Sequence, residues 1–344
     1  MRGLAVRLAH QTDVPIEFWG WAGDDSFQAP PPHRVVALPR FPMPMYRGAW
    51  LFAQLAMKRR ARRSAVRCVH VTDPDALTSL GTRKVLTTVY DLIPLRQGIS
   101  RRQIAGWAGY KVYLRALRKV DTYFAISDQT AADLAQLLNV PENRVVVAPP
   151  GIDLEPSAGS TPIAMTRPYF LFLGGPGTNK NLAVVLDAMA LCPELAPELR
   201  IAGHWLPKQV AALQSQLRAR GLSERVRHVG FAPSSELAQL MRSATALVVP
   251  SRYEGFGLPV AEGLATGALV IHSRISVLEQ ISAGAALTFG PDSAEELAVC
   301  LRTAAGDAQL AGRLRQQGIA RAAQLTWDRA VEATLAAYGA TLSA

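Results

Sequence analysis

The residues best able to do chemistry lie in PSRYEGFGLPVAEGLATGALVI, 250 to 271, where Glu254 and Glu262 are separated by seven residues of mostly glycine, proline and aliphatic character. The stretch between them opens on Gly255, Gly257 and Pro259, which is turn chemistry. With ATALVVPS (244–251) read as a strand and PVAEGLAT (259–266) as a helix, the two acids flank a strand-to-helix turn. Pro259 falls in the first helical turn, where its missing N–H costs nothing. The result is a glycine-lined helix N-terminus whose N–H groups suit an anion, beside acids suited to sugar or ribose hydroxyls. Taken alone, Glu254 reads better as a surface acid and Glu262 as an ordinary helix-terminal acid favoured by the dipole. Together with Gly255, Phe256, Gly257 and Pro259 they point to a ligand.

Such a turn needs a sheet behind it. From residue 167 onward strand patterns (YFLFLG, LRIAGHW, VRHVGF, ALVVPS, ALVIHS, ALTFG) alternate with helical ones (NLAVVLDAMALC, PKQVAALQSQLRARGL, SSELAQLMRSA). That alternation predicts a parallel sheet covered on both faces, with ligands at the carboxyl ends of its strands. The first half is less regular. IEFWGW, RVVALP, RCVHVTD, KVLTTVYDLIP, DTYFAIS and RVVVAP read as strands, with helices near 49–64, 101–119 and 127–138. APPGIDLEPSAGSTPIAMTRP (148–168) lacks periodicity and is rich in Pro, Gly and Ser, so it marks the boundary between two domains. The expected division is 1–150, 151–325 and a terminal helix, 326–344, that crosses back to the first domain.

At 344 residues, with 49% hydrophobic and 19% charged residues, the chain suits two globular domains. Its apolar runs are too short for a membrane span, and the opening residues show no secretory pattern. Cys68, Cys192 and Cys300 lie far apart with no C-x-x-C pair, which suggests neither a disulfide framework nor zinc and fits the cytoplasm. Residues 1–150 hold 21 Lys and Arg against 11 Asp and Glu, whereas 151–344 hold 16 of each, so the net charge of +10 belongs to the first half. Its densest parts are KRRARR (58–63) with Arg67, and RQGISRRQ (96–103). They read either as a surface for anionic lipid or a lipid-linked acceptor at the inner face of a membrane, or as a solvated helix face. No aromatic-basic interleaving supports nucleic acid.

The segment 250–271 resembles the signature of glycosyltransferase family 4, the retaining, group 1 glycosyl transferases of the GT-B fold. YFLFLGGPGTNKNLAVVLDAM is similar to that family's phosphate-binding strand-loop-helix, and VRHVGFAPSSELAQLMRSATALVVPS to the segment leading into the signature. VDTYFAISDQTAADL, RVVVAPPGID and LTWDRAVEATLAAY resemble the end of the first domain, the crossing and the terminal helix. The resemblance covers roughly 66 to 340. It implies an α/β fold of two facing Rossmann-like domains with a cleft between, no cofactor, and transfer of a hexose from a nucleoside-diphosphate sugar to a sugar or lipid-linked acceptor. Glu262 would bind ribose hydroxyls and Glu254 a hydroxyl of the transferred sugar. The backbone at Gly255, Phe256, Gly257 and Leu258 would meet sugar and diphosphate, Lys180 would neutralise the leaving diphosphate, and Phe231 would border the donor. Mannose is the preferred sugar, from a general likeness to bacterial polysaccharide mannosyltransferases.

The chain departs from the family twice. Gly174-Gly175, expected to border the donor, stands where Gly-Arg is common, so either another cation, with Arg252 as the candidate, meets the phosphates or the site is weaker. Tyr90-Asp91-Leu92 replaces His-Asp-Leu, so Asp91 stands as the candidate catalytic residue of the first domain without a histidine before it. DPD (73–75) matches an Asp-x-Asp metal site, but Asp73 or Asp75 could equally cap a helix. The histidines show no metal-ligand spacing and GGPGTNKN lacks the G-K-[ST] ending of a P-loop, so no metal is expected. A non-catalytic nucleotide-sugar binder and a sugar-nucleotide epimerase are the alternatives. MRGLAVRLAHQTD reads as a helix with Leu4, Val6 and Leu8 apolar, whereas family members begin with a strand and glycine loop. The natural protein is therefore expected to start about 15–30 residues upstream; a divergent first domain that dispenses with that strand is the alternative.

Overall fold

The computed structural model describes residues 2–21, 28–38, 55–56, 58–72, 84–97, 113–153 and 167–343. DPD (73–75), most of RQGISRRQ and the centre of the 148–168 linker lie outside the described residues. The chain divides into two units, 1–151 with 326–344, and 152–325.

In the first unit all six strand patterns form strands. Glu17–Trp21 (β1) and Arg34–Leu38 (β2) pair in parallel, and Cys68–Val71 (β3), Lys84–Val89 (β4), Thr122–Ala125 (β5) and Val145–Val147 (β6) make a second parallel sheet in the order β3-β4-β5-β6. The helix Asp128–Leu138 starts where Ser127 accepts the amide of Thr130 and stops at Asn139, whose left-handed backbone (φ 52°) suits asparagine. MRGLAVRLAHQ is helical over Arg2–Gln11, with Leu4 and Leu8 buried and Val6 half-buried. Leu4 and Leu8 pack on Trp327, Ala330 and Val331, so the terminal helix Asp328–Ser343 belongs to this unit. His70 on β3 fastens the same helix from the sheet side. Its ring lies 4.5 Å from that of Phe124, with Tyr338 Oη 2.8 Å from Nδ1 and Thr88 Oγ1 2.9 Å from Nε2.

The second unit holds Tyr169–Leu173 (β7), Glu198–Ala202 (β8), Val226–Gly230 (β9), Ala246–Val249 (β10), Val270–Ser273 (β11) and Leu287–Phe289 (β12). They form one parallel sheet in the order β12-β11-β10-β7-β8-β9. Counted from β7, that is the doubly wound order 3-2-1-4-5-6, which reverses between β7 and β10. The central strands read as unbroken apolar runs because helices cover both faces, and every residue of β10 is buried. Helix Leu258–Ala265 lies close on that sheet through Gly263, where a Cβ would come 2.6 Å from Leu247 Cδ2 and 3.0 Å from Val270 Cγ2. Among the described residues no helix is long and apolar enough to cross a membrane.

Candidate functional site

The strand order decides which loops meet. At the reversal between β7 and β10, the crossovers leaving the two strands run to opposite sides, so their carboxyl ends open a crevice. Into it come two strand-to-helix turns, 174–181 after β7 and 250–257 after β10. Lys180 closes a short 3-10 turn, Thr178–Lys180, and Asn181 follows in the left-handed region (φ 52°) before the helix Leu182–Ala190. Its amide group donates to the carbonyls of Pro250 (3.1 Å) and Pro291 (2.7 Å) while the Asn179 carbonyl accepts from the Arg252 amide (2.8 Å). The loops after β7, β10 and β12 are thereby tied together.

Within that frame Lys180 Nζ donates to Glu254 Oε1 at 2.6 Å. Ser251 Oγ donates to the same oxygen, also at 2.6 Å. Glu254 is 8% exposed and Ser251 fully buried, whereas the lysine side chain keeps a quarter of its surface in solvent. Charge-assisted bonds of this length hold a carboxylate firmly. Gly257 then takes φ 100°, a conformation that side chains avoid, and starts the helix Leu258–Ala265. A Cβ there would come 2.4 Å from Leu278 Cδ2. The helix opens one residue earlier than the proline position implies, and the Leu258 N–H has no carbonyl of a preceding turn to meet.

Glu262 sits in the second turn of that helix, half-buried, with no partner among the described residues. Burial raises its carboxyl above the ordinary glutamate range. An acid so placed lacks a hydrogen-bonding neighbour and is well suited to receive one from a ligand.

The remaining sequence-predicted residues divide. Gly174 is beside Lys180, since a Cβ on it would lie 3.5 Å from the lysine Cγ and Cδ, and its carbonyl accepts from Trp205 Nε1 at 2.9 Å. Gly175 has open surroundings, with only the His204 carbonyl within 4 Å of an added Cβ. Phe256 is buried, while Leu258 is 46% exposed. Arg252 is paired with Asp292, its Nε 2.9 Å from Oδ1, so the cation chosen to replace the family arginine already has a carboxylate. Phe231 is 75% exposed beyond β9, the edge strand three places from β10. Asp91 belongs to the first unit, where Oδ1 accepts the Ile93 amide at 3.0 Å at the start of the helix Ile93–Gln97. Among the described residues no cluster of His, Cys, Asp and Glu could hold a metal ion.

Ser251, Asn181 and Asp292 escaped the sequence reading. The first two stand inside the quoted PSRYE and TNKN stretches, but serine and asparagine beside glycine and proline read as ordinary turn formers. Their partners are 3 and 69 or more residues away, which spacing does not reveal.

Two family descriptions match in tandem: Glycosyltransferase Family 4 over residues 4–156, and Glycosyl transferases group 1 over 155–321. The chain is 26% identical over 228 residues to O-antigen chain mannosyltransferase B of Escherichia coli, covering 62% of this chain and 59% of that protein. It thus spans less than two thirds of this relative. Among solved structures it resembles sucrose-phosphate synthase from Thermosynechococcus elongatus, with TM-score 0.75 and 20% identity over 99% of this chain and 92% of that one. It also resembles Anabaena HepE in complex with UDP and glucose, with TM-score 0.73 and 16% identity over 89% and 86% of the two chains. These likenesses establish the GT-B fold for the two Rossmann-like units described above.

Proposed function

The chain belongs to the group 1 glycosyl transferases of family 4, and from that membership we propose that it moves a hexose from a nucleoside-diphosphate sugar to an acceptor hydroxyl with retention of configuration. The observation that carries this reading is the Lys180, Glu254 and Ser251 cluster at the carboxyl edge of the two strands flanking the switch point. Breaking the bond to the diphosphate puts negative charge on the leaving group. Lys180 and the helix N-terminus at Leu258 are the groups suited to stabilise it, in the manner of other preorganised electrostatic sites. Glu262 takes the ribose hydroxyls and Glu254 a hydroxyl of the sugar. A retaining glycosidase would use one of two close carboxylates as its nucleophile; Glu254, already engaged through Oε1 by two donors, suits hydroxyl binding better.

Mannose from GDP-mannose is the preferred donor, on the strength of the mannosyltransferase relative. The UDP complex of the HepE neighbour keeps UDP-sugars in the comparison. The acceptor is a polysaccharide or lipid-linked sugar, presented at an anionic membrane surface. Arg59, Arg62 and Arg63 are exposed for that contact. Arg60 of the same basic run is turned inward to Glu17, its guanidinium 2.6 Å from Oε2, and serves packing instead.

The test is a panel of GDP-mannose, UDP-glucose and ADP-glucose with the purified chain, read as thermal stabilisation and as sugar transfer or donor hydrolysis, with the product anomer assigned by NMR. Ligand at 100 times its Kd raises stability by about 2.7 kcal/mol. One donor should stabilise and turn over, with EDTA present and the anomeric configuration kept. Stabilisation without turnover favours the non-catalytic binder, a changed sugar still on its nucleotide favours the epimerase, and no response to any donor removes all three readings.

A further inference from the structure

Glu254 Oε1 receives two donors of unequal freedom. Ser251 is fully buried, its hydroxyl is 2.6 Å from that oxygen, and its own carbonyl accepts from the Ser273 hydroxyl, so it is held on both sides. Lys180 is also 2.6 Å away, but it reaches the carboxylate on a flexible four-carbon stem with a quarter of the side chain in solvent. Its backbone cannot follow a large movement, because Asn181 directly after it is 2% exposed and anchored on Pro250 and Pro291. Rotation of the lysine side chain is the cheap motion in this cluster.

We propose that Ser251 is a positioning residue for sugar transfer: its hydroxyl keeps Glu254 in place when Lys180 leaves Oε1 for the diphosphate of the donor. This rests on the function proposed above, which asks Lys180 to serve the phosphates and Glu254 the sugar. Without Ser251, the departing lysine would strand an almost buried carboxylate with no donor on Oε1, a state that is strongly disfavoured. The carboxylate would then turn away from the sugar hydroxyl. With Ser251 the ion pair is exchanged for a pre-set hydrogen bond and the carboxylate stays aimed.

The experiment compares wild type with Ser251→Ala, Ser251→Thr and the near-isosteric Ser251→Cys in the full chain. Binding of UDP and GDP is measured beside binding and turnover of UDP-glucose and GDP-mannose. The expected result is a loss of about tenfold in kcat for the alanine and cysteine variants, unchanged affinity for the sugar-free diphosphate, and recovery of kcat in the threonine variant, which keeps the hydroxyl. Should the alanine variant not fold, the cysteine variant carries the same comparison. Full kcat in the alanine or cysteine variant overturns the proposal, as does an equal loss of affinity for diphosphate and nucleotide sugar, which would mark Ser251 as merely structural. Failure of wild type to bind any of the four nucleotides overturns the functional reading itself and is seen before a variant is compared.

Discussion

Lys180 and Glu254, 74 residues apart in the chain, form an ion pair of 2.6 Å because β7 and β10 are neighbours in the sheet. The pair joins the residue proposed for the leaving diphosphate to the residue proposed for the sugar. Lys180→Ala and Glu254→Ala should each lower turnover by tenfold or more, the usual cost of a charge-assisted bond worth about 1.5–3 kcal/mol. The double variant should lose less than the two single losses combined, with a coupling energy of about 0.5–3 kcal/mol, since each change already removes the shared contact. Strictly additive losses in kcat/KM would show that the two act independently.

Glu262→Gln separates stability from binding. The folded carboxyl has its pKa raised by burial, so the native state holds a proton that the unfolded state releases more easily. Its contribution is fully present below the unfolded glutamate pKa and is lost as pH rises through the raised folded value. Glutamine stays neutral, so the variant should be more stable than wild type at pH 8 and close to it at pH 4, while donor affinity falls by about tenfold. Urea midpoints at the two pH values and donor titration check both halves. Equal destabilisation at both pH values would refute the burial argument.

Gly257 and Gly312 should respond in opposite directions to alanine. At Gly257 the backbone is at φ 100° and the added Cβ meets Leu278 Cδ2 at 2.4 Å, so Gly257→Ala should destabilise by roughly 2 kcal/mol or more and disturb the turn proposed for the donor. Gly312 lies inside the helix Ala308–Ala322 with nothing within 4 Å of an added Cβ, so Gly312→Ala should stabilise by about 0.5–1 kcal/mol. Denaturant melts of the two variants against wild type measure the contrast.

The His70 cluster makes the first unit acid-sensitive. Burial pushes the imidazole down to about 3, well below an unfolded histidine near 6.5. Stability from the neutral ring is therefore present above pH 6.5 and is lost as pH falls toward 3. His70→Asn should weaken the hold on Tyr338 at pH 7, and the stability gap between variant and wild type should close as pH is lowered through that window. Fluorescence-monitored unfolding from pH 7 to pH 4 follows it. A gap that stays constant would mean that the ring takes up its proton as readily in the folded chain as in the unfolded one.

The strands and the turn before Leu258 were legible because their signals are local. YFLFL and ALVV carry their burial on both faces in their own side chains, and Gly257 and Pro259 announce the turn they make. Twelve strand patterns became twelve strands for that reason. The spacing of Glu254 and Glu262 likewise placed them on either side of a helix start.

What the amino-acid sequence alone could not supply is which loop faces which. The order β12-β11-β10-β7-β8-β9 brings Lys180 to Glu254, Asn181 to Pro291 and Arg252 to Asp292, and none of these pairs has a spacing signature. Composition and periodicity report how each segment meets a core. They do not report the neighbour that a crossover delivers, and a hydroxyl such as that of Ser251 gains its meaning only from the carboxylate placed 2.6 Å away. Arg252 shows the same limit: its residue type makes it a candidate for the phosphates, and only tertiary structure brings Asp292 beside it.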